Sequence, residues 1–459
     1  MSAKKYELDM TKGSILKNIL SFTIPLILTS LLQLLYNAAD LVVVSRFAGS
    51  DAMASVGATS SISSLFVNFS VGLALGASVA VARSFGARDN VKISKAVHTS
   101  VLLSVIVGII TAALGIAFSR PLLSLMGTPE DKVLEGAVLY MRIYFIGIPA
   151  SLVYNFSASI LRAVGDTKRP LYILSTAGIV NVILNLIFVI VFHMGVAGVA
   201  IATAVSNAIS MVAVLAVLVR SEGPYRLFIS KIKLWKEELG VILKVGVPSG
   251  IQSCFFALSN SLIQSAVNSF GAAAIAGNAA GVNIEGFVYA SMNAYHQTTV
   301  TAVSQNYGAG KKERITKTIW TSLLCVTITG AVLGALSVIF ADSLLGIYIT
   351  DSLEALRYGK IRIIITGAPY FLCGIMDVLA GALRGFGAST VAMVNSFFGA
   401  CVFRVLWVLF LLPIYHYFGM IFLGQSASWI VVIAMHLIAY GFVKKRAFKK
   451  LNDEAIKAE

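Results

Sequence analysis

The chain has 459 residues, 58% of them hydrophobic and only 12% charged, with a mean hydropathy of +0.86. A soluble domain carries about 25% charged residues, so this composition excludes a water-soluble enzyme and defines an all-α polytopic membrane protein. The formal net charge of +15 would suggest nucleic acid in a soluble chain; here it follows from basic flanks kept beside an anionic inner membrane face.

A helix needs about 20 apolar residues to cross the hydrocarbon core. Twelve such runs are expected, near 15–44, 54–82, 96–118, 133–161, 170–192 and 195–219, then 241–269, 272–306, 316–340, 358–383, 390–412 and 420–443. The first is too long for a cleaved leader and stays as a span. Only the short ends and 220–240 read as extramembrane, which leaves no room for a soluble catalytic domain. Cys254, Cys325, Cys373 and Cys401 lie in apolar runs with no CxxC and no Cys/His grouping, so neither disulfide nor metal site is expected. Of the 36 Lys and Arg residues, 28 fall in the termini and even-numbered loops, 7 in the odd-numbered loops and their flanks, and Arg404 inside a span. That asymmetry predicts a multi-pass protein of the cell membrane with both termini in the cytoplasm.

The two halves repeat at an offset of about 222. IPLILTSLLQLLYN (24–37) lies over VPSGIQSCFFALSN (247–260), pairing Pro25 with Pro248 and Asn37 with Asn260. ARSFGARDN aligns with SQNYGAGKK, and ILRAVGDTKRP with ALRGFGASTVA; Pro149 pairs with Pro369 after a two-residue slip. Six spans per half is an even number, so both halves insert the same way. The expected architecture is twelve transmembrane helices in two parallel six-helix repeats, an N-lobe over 1–228 and a C-lobe over 229–459, around a central cleft suited to alternating access. Proline loosens a helix locally, and the paired prolines are candidate bends.

Ionisable residues inside spans are costly and become functional candidates by default. Asp40 shares a stripe of the first span with Gln33, Tyr36 and Asn37; Asn181 and Asn185 are one turn apart in the fifth, and Tyr154 and Asn155 lie in the fourth. If these converge, the N-lobe holds a carboxylate among neutral amides and phenols, able to load and release a proton. A structural Asp tying helix ends together is the alternative. In the second half Asn278, Glu285, Tyr289, Met292 and His296 form one stripe, a carboxylate with aromatic and thioether neighbours that suits a lipophilic cation. His296 can equally be a hydrogen-bonded core histidine. Asp377 either faces substrate or pairs with Arg384 or Arg404, and Gln252, Asn260 and Gln264 either line the cleft or bond across helices. No Walker A loop, HExxH or GxSxG elbow occurs. The basic tail VKKRAFKK reads as a lipid-surface anchor.

The segments YNAADLVVVSRFAG (36–49), ILRAVGDTKRP (160–170), NVILN (181–185), GVAGVAIATAVS (195–206) and QNYGAG (305–310), in this order and doubled across the halves, resemble the multidrug and toxic compound extrusion (MATE) family over about 15–445. The resemblance implies a V-shaped pair of six-helix bundles and secondary active export of organic, often cationic, compounds in exchange for protons or sodium. It also implies proton coupling through Asp40, which matches an Asp of the first span in some members. Those members often carry a second acid where this chain has Asn185, and the seventh-span acid of sodium-coupled members corresponds to Phe256; both departures bear on the coupling ion, with protons the expected one and sodium the alternative. Partners are then small organic substrates, the coupling cation and the bilayer, with no cofactor, nucleic acid or protein partner implied. A lipid-linked oligosaccharide flippase of the same superfamily is the alternative function. It should line its cavity with several Arg or Lys, whereas Arg404 is the one basic residue expected deep in a span, against three acids. A channel or membrane-embedded enzyme fits the repeat and the scattered polar groups less well.

Overall fold

The computed structural model describes residues 6–128, 132–350 and 352–456. Among them there is no strand, and long helices follow the apolar runs: α1 (Ile15–Val43), α2 (Ser50–Gly86), α3 (Asn90–Leu125), α4 (Lys132–Ala163), α5 (Lys168–Leu186), α6 (Gly195–Arg220), α7 (Lys236–Asn268), α8 (Ala272–Gly308) and α9 (Lys312–Ile339). The C-terminal part is more broken: α10 (Ala341–Gly346), α11 (Leu353–Gly367), α12 (Tyr370–Gly385), α13 (Ser389–Ser396), α14 (Phe403–Phe410) and α15 (Phe418–Ile456).

Ten helical stretches are long and apolar enough to cross a membrane, and α11 with α12 forms an eleventh, bent by 48°. The twelfth is α8. Its 37 residues reach across a bilayer at about 1.5 Å per residue, but Asn278, Glu285, Asn293, His296 and Gln297 dilute its hydrophobicity.

The paired prolines behave differently. Pro25, Pro149 and Pro248 sit inside continuous helices, whereas Pro369 separates α11 from α12. The fourth span of the first repeat is therefore one helix and its counterpart a kinked pair, so the expected single run 358–383 is two helices.

Backbone torsions carry the repeat as clearly as residue types do. Gly49 and Gly271, 222 positions apart, cap α2 and α8 with φ of 87° and 91°, a region that costs nothing for glycine. Arg88 occupies φ 57° where its repeat mate Gly310 has φ 68°, so the first repeat keeps the turn but loads it with a side chain.

The chain divides into two compact units: residues through Leu8 with Leu28–Gly246, and Asp9–Ile27 with Val247–Glu459. The divisions fall within α1 and α7, close to Pro25 and Pro248. In the first unit α4 packs on α2, α3 and α6; in the second, α12 packs on α8, α9 and α15. Small residues let these helices approach. Within the first unit a Cβ on Gly246 would lie 2.5 Å from the Leu73 carbonyl oxygen, so α7 and α2 touch backbone to backbone. The equivalent crossing in the second unit, α1 on α8, is joined by the hydroxyls of Thr23 and Thr298, 2.8 Å apart.

Candidate functional site

In the first unit α1 is held against α5 by Tyr36. Its hydroxyl donates to the Ser175 carbonyl oxygen at 3.0 Å, and its ring fills the space that a Cβ on Gly178 would need. One turn further on, Asn185 Nδ2 donates to Asp40 Oδ1 at 2.5 Å and to Asn181 Oδ1 at 3.3 Å. Asn185 is fully buried and Asn181 nearly so, and the Asn185 Oδ1 atom has no hydrogen-bond partner. No ion pair reaches Asp40 among the described residues. The stripes of the first and fifth spans thus converge: a carboxylate faces two amides and no cation.

The other first-repeat candidates are dispersed. Tyr154 is buried and donates to the Pro170 carbonyl oxygen at 3.3 Å, Asn155 contacts Ser151 Oγ at 3.5 Å, and Gln33 and Asn37 are exposed on α1. Tyr140 and Tyr144 were missed. Their rings stack at 6.1 Å, Tyr140 is near enough to Asp40 to feel its charge, and it packs on the cluster around Val43, Val44 and Val189. Their i, i+4 spacing in the fourth span, continued by Ser151 and Asn155, was the available signal.

The second unit corrects the sequence reading of Glu285. Its carboxylate is buried and already paired: Arg362 donates Nε–H to Oε1 at 3.0 Å and Nη2–H to Oε2 at 2.7 Å, and Thr366 Oγ1 also bonds Oε1. Arg362 reaches Asn278 Oδ1 through Nη1 and lies 4.8 Å from the Phe422 ring centre; Asn278 in turn donates to Gln264 Oε1 at 2.8 Å. Glu285 is thus neutralised from within the protein rather than left for a cationic ligand. Arg362 is one of the seven basic residues expected in the odd-numbered loops and their flanks, but α11 starts at Leu353 and carries it inside.

A second network surrounds His296. Arg384 donates Nη1–H to His296 Nε2 at 2.6 Å and Nη2–H to Gln252 Oε1 at 2.9 Å, and Gln252 donates to Ser396 Oγ at 2.9 Å. Arginine only donates, so His296 Nε2 accepts and its Nδ1–H bonds the Asp377 carbonyl oxygen at 2.7 Å. His296 is a neutral core histidine. Met292, expected near substrate, is fully buried against Val326, Tyr370 and Cys373. Tyr289 is 43% exposed and close to Asp377, whose Oδ2 has no hydrogen-bond partner. Neither Arg384 nor Arg404 comes within 4.0 Å of the Asp377 carboxylate among the described residues, and Arg404 Nε bonds Ser428 Oγ at 2.8 Å. The ladder Gln252, Asn260, Gln264 divides between the two networks, with Asn260 exposed. Arg362, Arg384 and Arg404 are all buried in this unit. The expectation of one buried cation against three acids therefore fails here: α11 begins before the expected span and carries Arg362 inside, and Arg384 is buried near the end of α12.

Two six-span repeats, a broken tenth span and polar groups held at mid-helix depth define a multi-pass membrane transporter. The profile of the MatE family matches residues 25–187 and again 248–410. The two matches begin at Pro25 and Pro248 and are offset by the same amount as the internal repeat, and the chain belongs to this family. It is 27% identical over 442 residues to the probable multidrug resistance protein YoeA of Bacillus subtilis (strain 168), covering 94% of both chains. It is 24% identical over 374 residues to a FAD transporter of Shewanella oneidensis, covering 80% of this chain and 82% of that one. Its fold superposes with a TM-score of 0.87, at 20% identity, on an outward-facing multidrug resistance MATE transporter, covering 97% and 98% of the two chains.

Proposed function

We propose that this protein exports organic compounds, with cationic drugs as principal cargo, by alternating access in exchange for protons. The observation that carries the reading is Asp40 facing Asn185, itself bonded to Asn181, with no cation within ion-pair distance among the described residues. An amide suits both protonation states of a carboxyl: Nδ2–H donates to the ionised form, and Oδ1, turned over, accepts from the protonated form. Asn185 thus replaces a second acid without removing the proton-carrying group. Sodium, a hard cation, prefers several oxygen ligands, and the one acid here offers fewer of them than a pair would. The similarity to proteins named for multidrug resistance supports the cargo class.

Arg384 and Arg404, buried in the second unit without an ion-pair partner among the described residues, support a second cargo reading, an anionic organic solute, and the Shewanella relative is named for one. The deciding experiment is transport in proteoliposomes under an imposed pH gradient and then a sodium gradient, with ethidium and FAD as cargo in separate runs. Ethidium movement with the pH gradient alone is the expected result. Movement only with sodium overturns proton coupling, and movement of FAD alone replaces the cationic cargo with the anionic one.

A further inference from the structure

The segment between α6 and α7 builds a basic pocket against the second turn of α3. Buried His98 and Thr99 hold it in place. His98 Nε2 accepts from the Phe228 backbone N–H at 3.0 Å while its Nδ1 side bonds the Ser94 carbonyl oxygen at 2.6 Å; Thr99 Oγ1 accepts from the Trp235 N–H at 3.1 Å. On this fixed scaffold two aromatic faces gather four cations. Lys95 and Lys233 stand 4.9 and 5.2 Å from the Trp235 ring centre, and Lys231 and Arg226 stand 4.8 and 4.9 Å from that of Phe228. None of the four has an ion-pair partner among the described residues. The carboxylate of Glu238 acts on Lys92 and Lys95 from the side, and Asp89 is taken by Lys92 at 3.6 Å. The cavity is about 300 Å³.

The second repeat provides a comparison. Its equivalent pocket lies on the first turns of α9, with Lys317 five residues into that helix as Lys95 is into α3. There two of the cations are held by backbone: Lys311 Nζ bonds the Thr11 carbonyl oxygen, and Arg314 bonds those of Met10, Lys12 and Gly13. In the first repeat His98 and Thr99 take over that holding task, which leaves Lys95, Lys231 and Lys233 lining the concavity, with Arg226 beside them on the Phe228 ring.

We infer that the α3–linker pocket binds the phosphate of an anionic phospholipid headgroup. Free phosphate shares the chemistry of the cations, but Ile229, 75% exposed, and Phe228, 38% exposed, stand beside them as apolar surface that only an acyl chain would cover. The test is native mass spectrometry of the detergent-purified full chain titrated with phosphatidylglycerol, phosphatidylcholine and inorganic phosphate. Phosphatidylglycerol should be retained in preference to phosphatidylcholine, with affinity falling roughly tenfold in the Lys231→Gln/Lys233→Gln variant. A Lys17→Gln/Lys132→Gln variant, outside both the pocket and the basic tail, should leave it unchanged; the exposed positions of both pairs keep folding out of the comparison. Equal retention of the two lipids, or equal loss in both variants, overturns the site. Displacement of phosphatidylglycerol by equimolar inorganic phosphate overturns the lipid assignment.

Discussion

At the residue scale the two units treat their intramembrane carboxylates in opposite ways. Asp40 meets amides, whereas Glu285 meets a guanidinium on both oxygens. Asp40→Asn should abolish gradient-driven export while the protein remains folded in the membrane; full activity would remove Asp40 from the coupling role. Asn185→Ala keeps the carboxylate but strips its donor. Loss of a hydrogen bond to a charged group is worth about 1.5–3 kcal/mol, so export should fall about tenfold or more rather than vanish, as measured by initial rates in the same vesicles. Glu285 calls for a different experiment. Arg362→Met leaves a buried carboxylate unpaired, at a cost of about 3–5 kcal/mol, and should lower the thermal midpoint in detergent sharply. Combining it with Glu285→Gln should recover most of that loss. A double variant no more stable than Arg362→Met would show that the two side chains are not coupled.

At the scale of elements, the third and fourth spans of each repeat approach through a matched glycine. A Cβ on Gly108 would come 2.7 Å from Pro149 Cα, and one on Gly330, 222 positions later, 2.7 Å from Phe371 Cα. Neither backbone can yield as a side-chain tip could, so Gly108→Ala and Gly330→Ala should each cost about 1–3 kcal/mol by overpacking, read as comparable drops in thermal midpoint. A loss at one site only would mean that the kink at Pro369 lets the second repeat relax. These elements also show how far the chain could be read without coordinates. Span number, the repeat and the Asp40–Asn185 convergence were legible, because hydropathy and helical spacing are local properties. The Glu285–Arg362 pair was not, because its arginine falls at a hydropathy edge, where composition does not tell a loop flank from the buried part of a helix. Met292 was misread for a related reason: a thioether on a polar stripe can face either a cleft or a core, and only the packing of α12 on α8 decides which.

At the scale of the whole molecule, the repeat and the charge distribution make one joint statement about orientation. Two six-span halves inserted in parallel require corresponding loops to lie on one side, and the α2–α3 turn, the α8–α9 turn, the α6–α7 linker and the C-terminal helix all carry clustered cations. The turn between α5 and α6, with His193 exposed at φ 51°, has no Lys or Arg. From the cost of carrying cations across the membrane during insertion, the first group is expected in the cytoplasm and the second outside. Lys449→Cys should therefore react with a membrane-impermeant maleimide only after the cells are permeabilised, and His193→Cys in intact cells. The four native cysteines, buried or half-buried, provide a low background. The reverse pattern would invert the protein in the membrane. Labelling of both positions from one side would mean that one of spans 6–12 does not cross, because 193 and 449 are separated by those seven spans, an odd number.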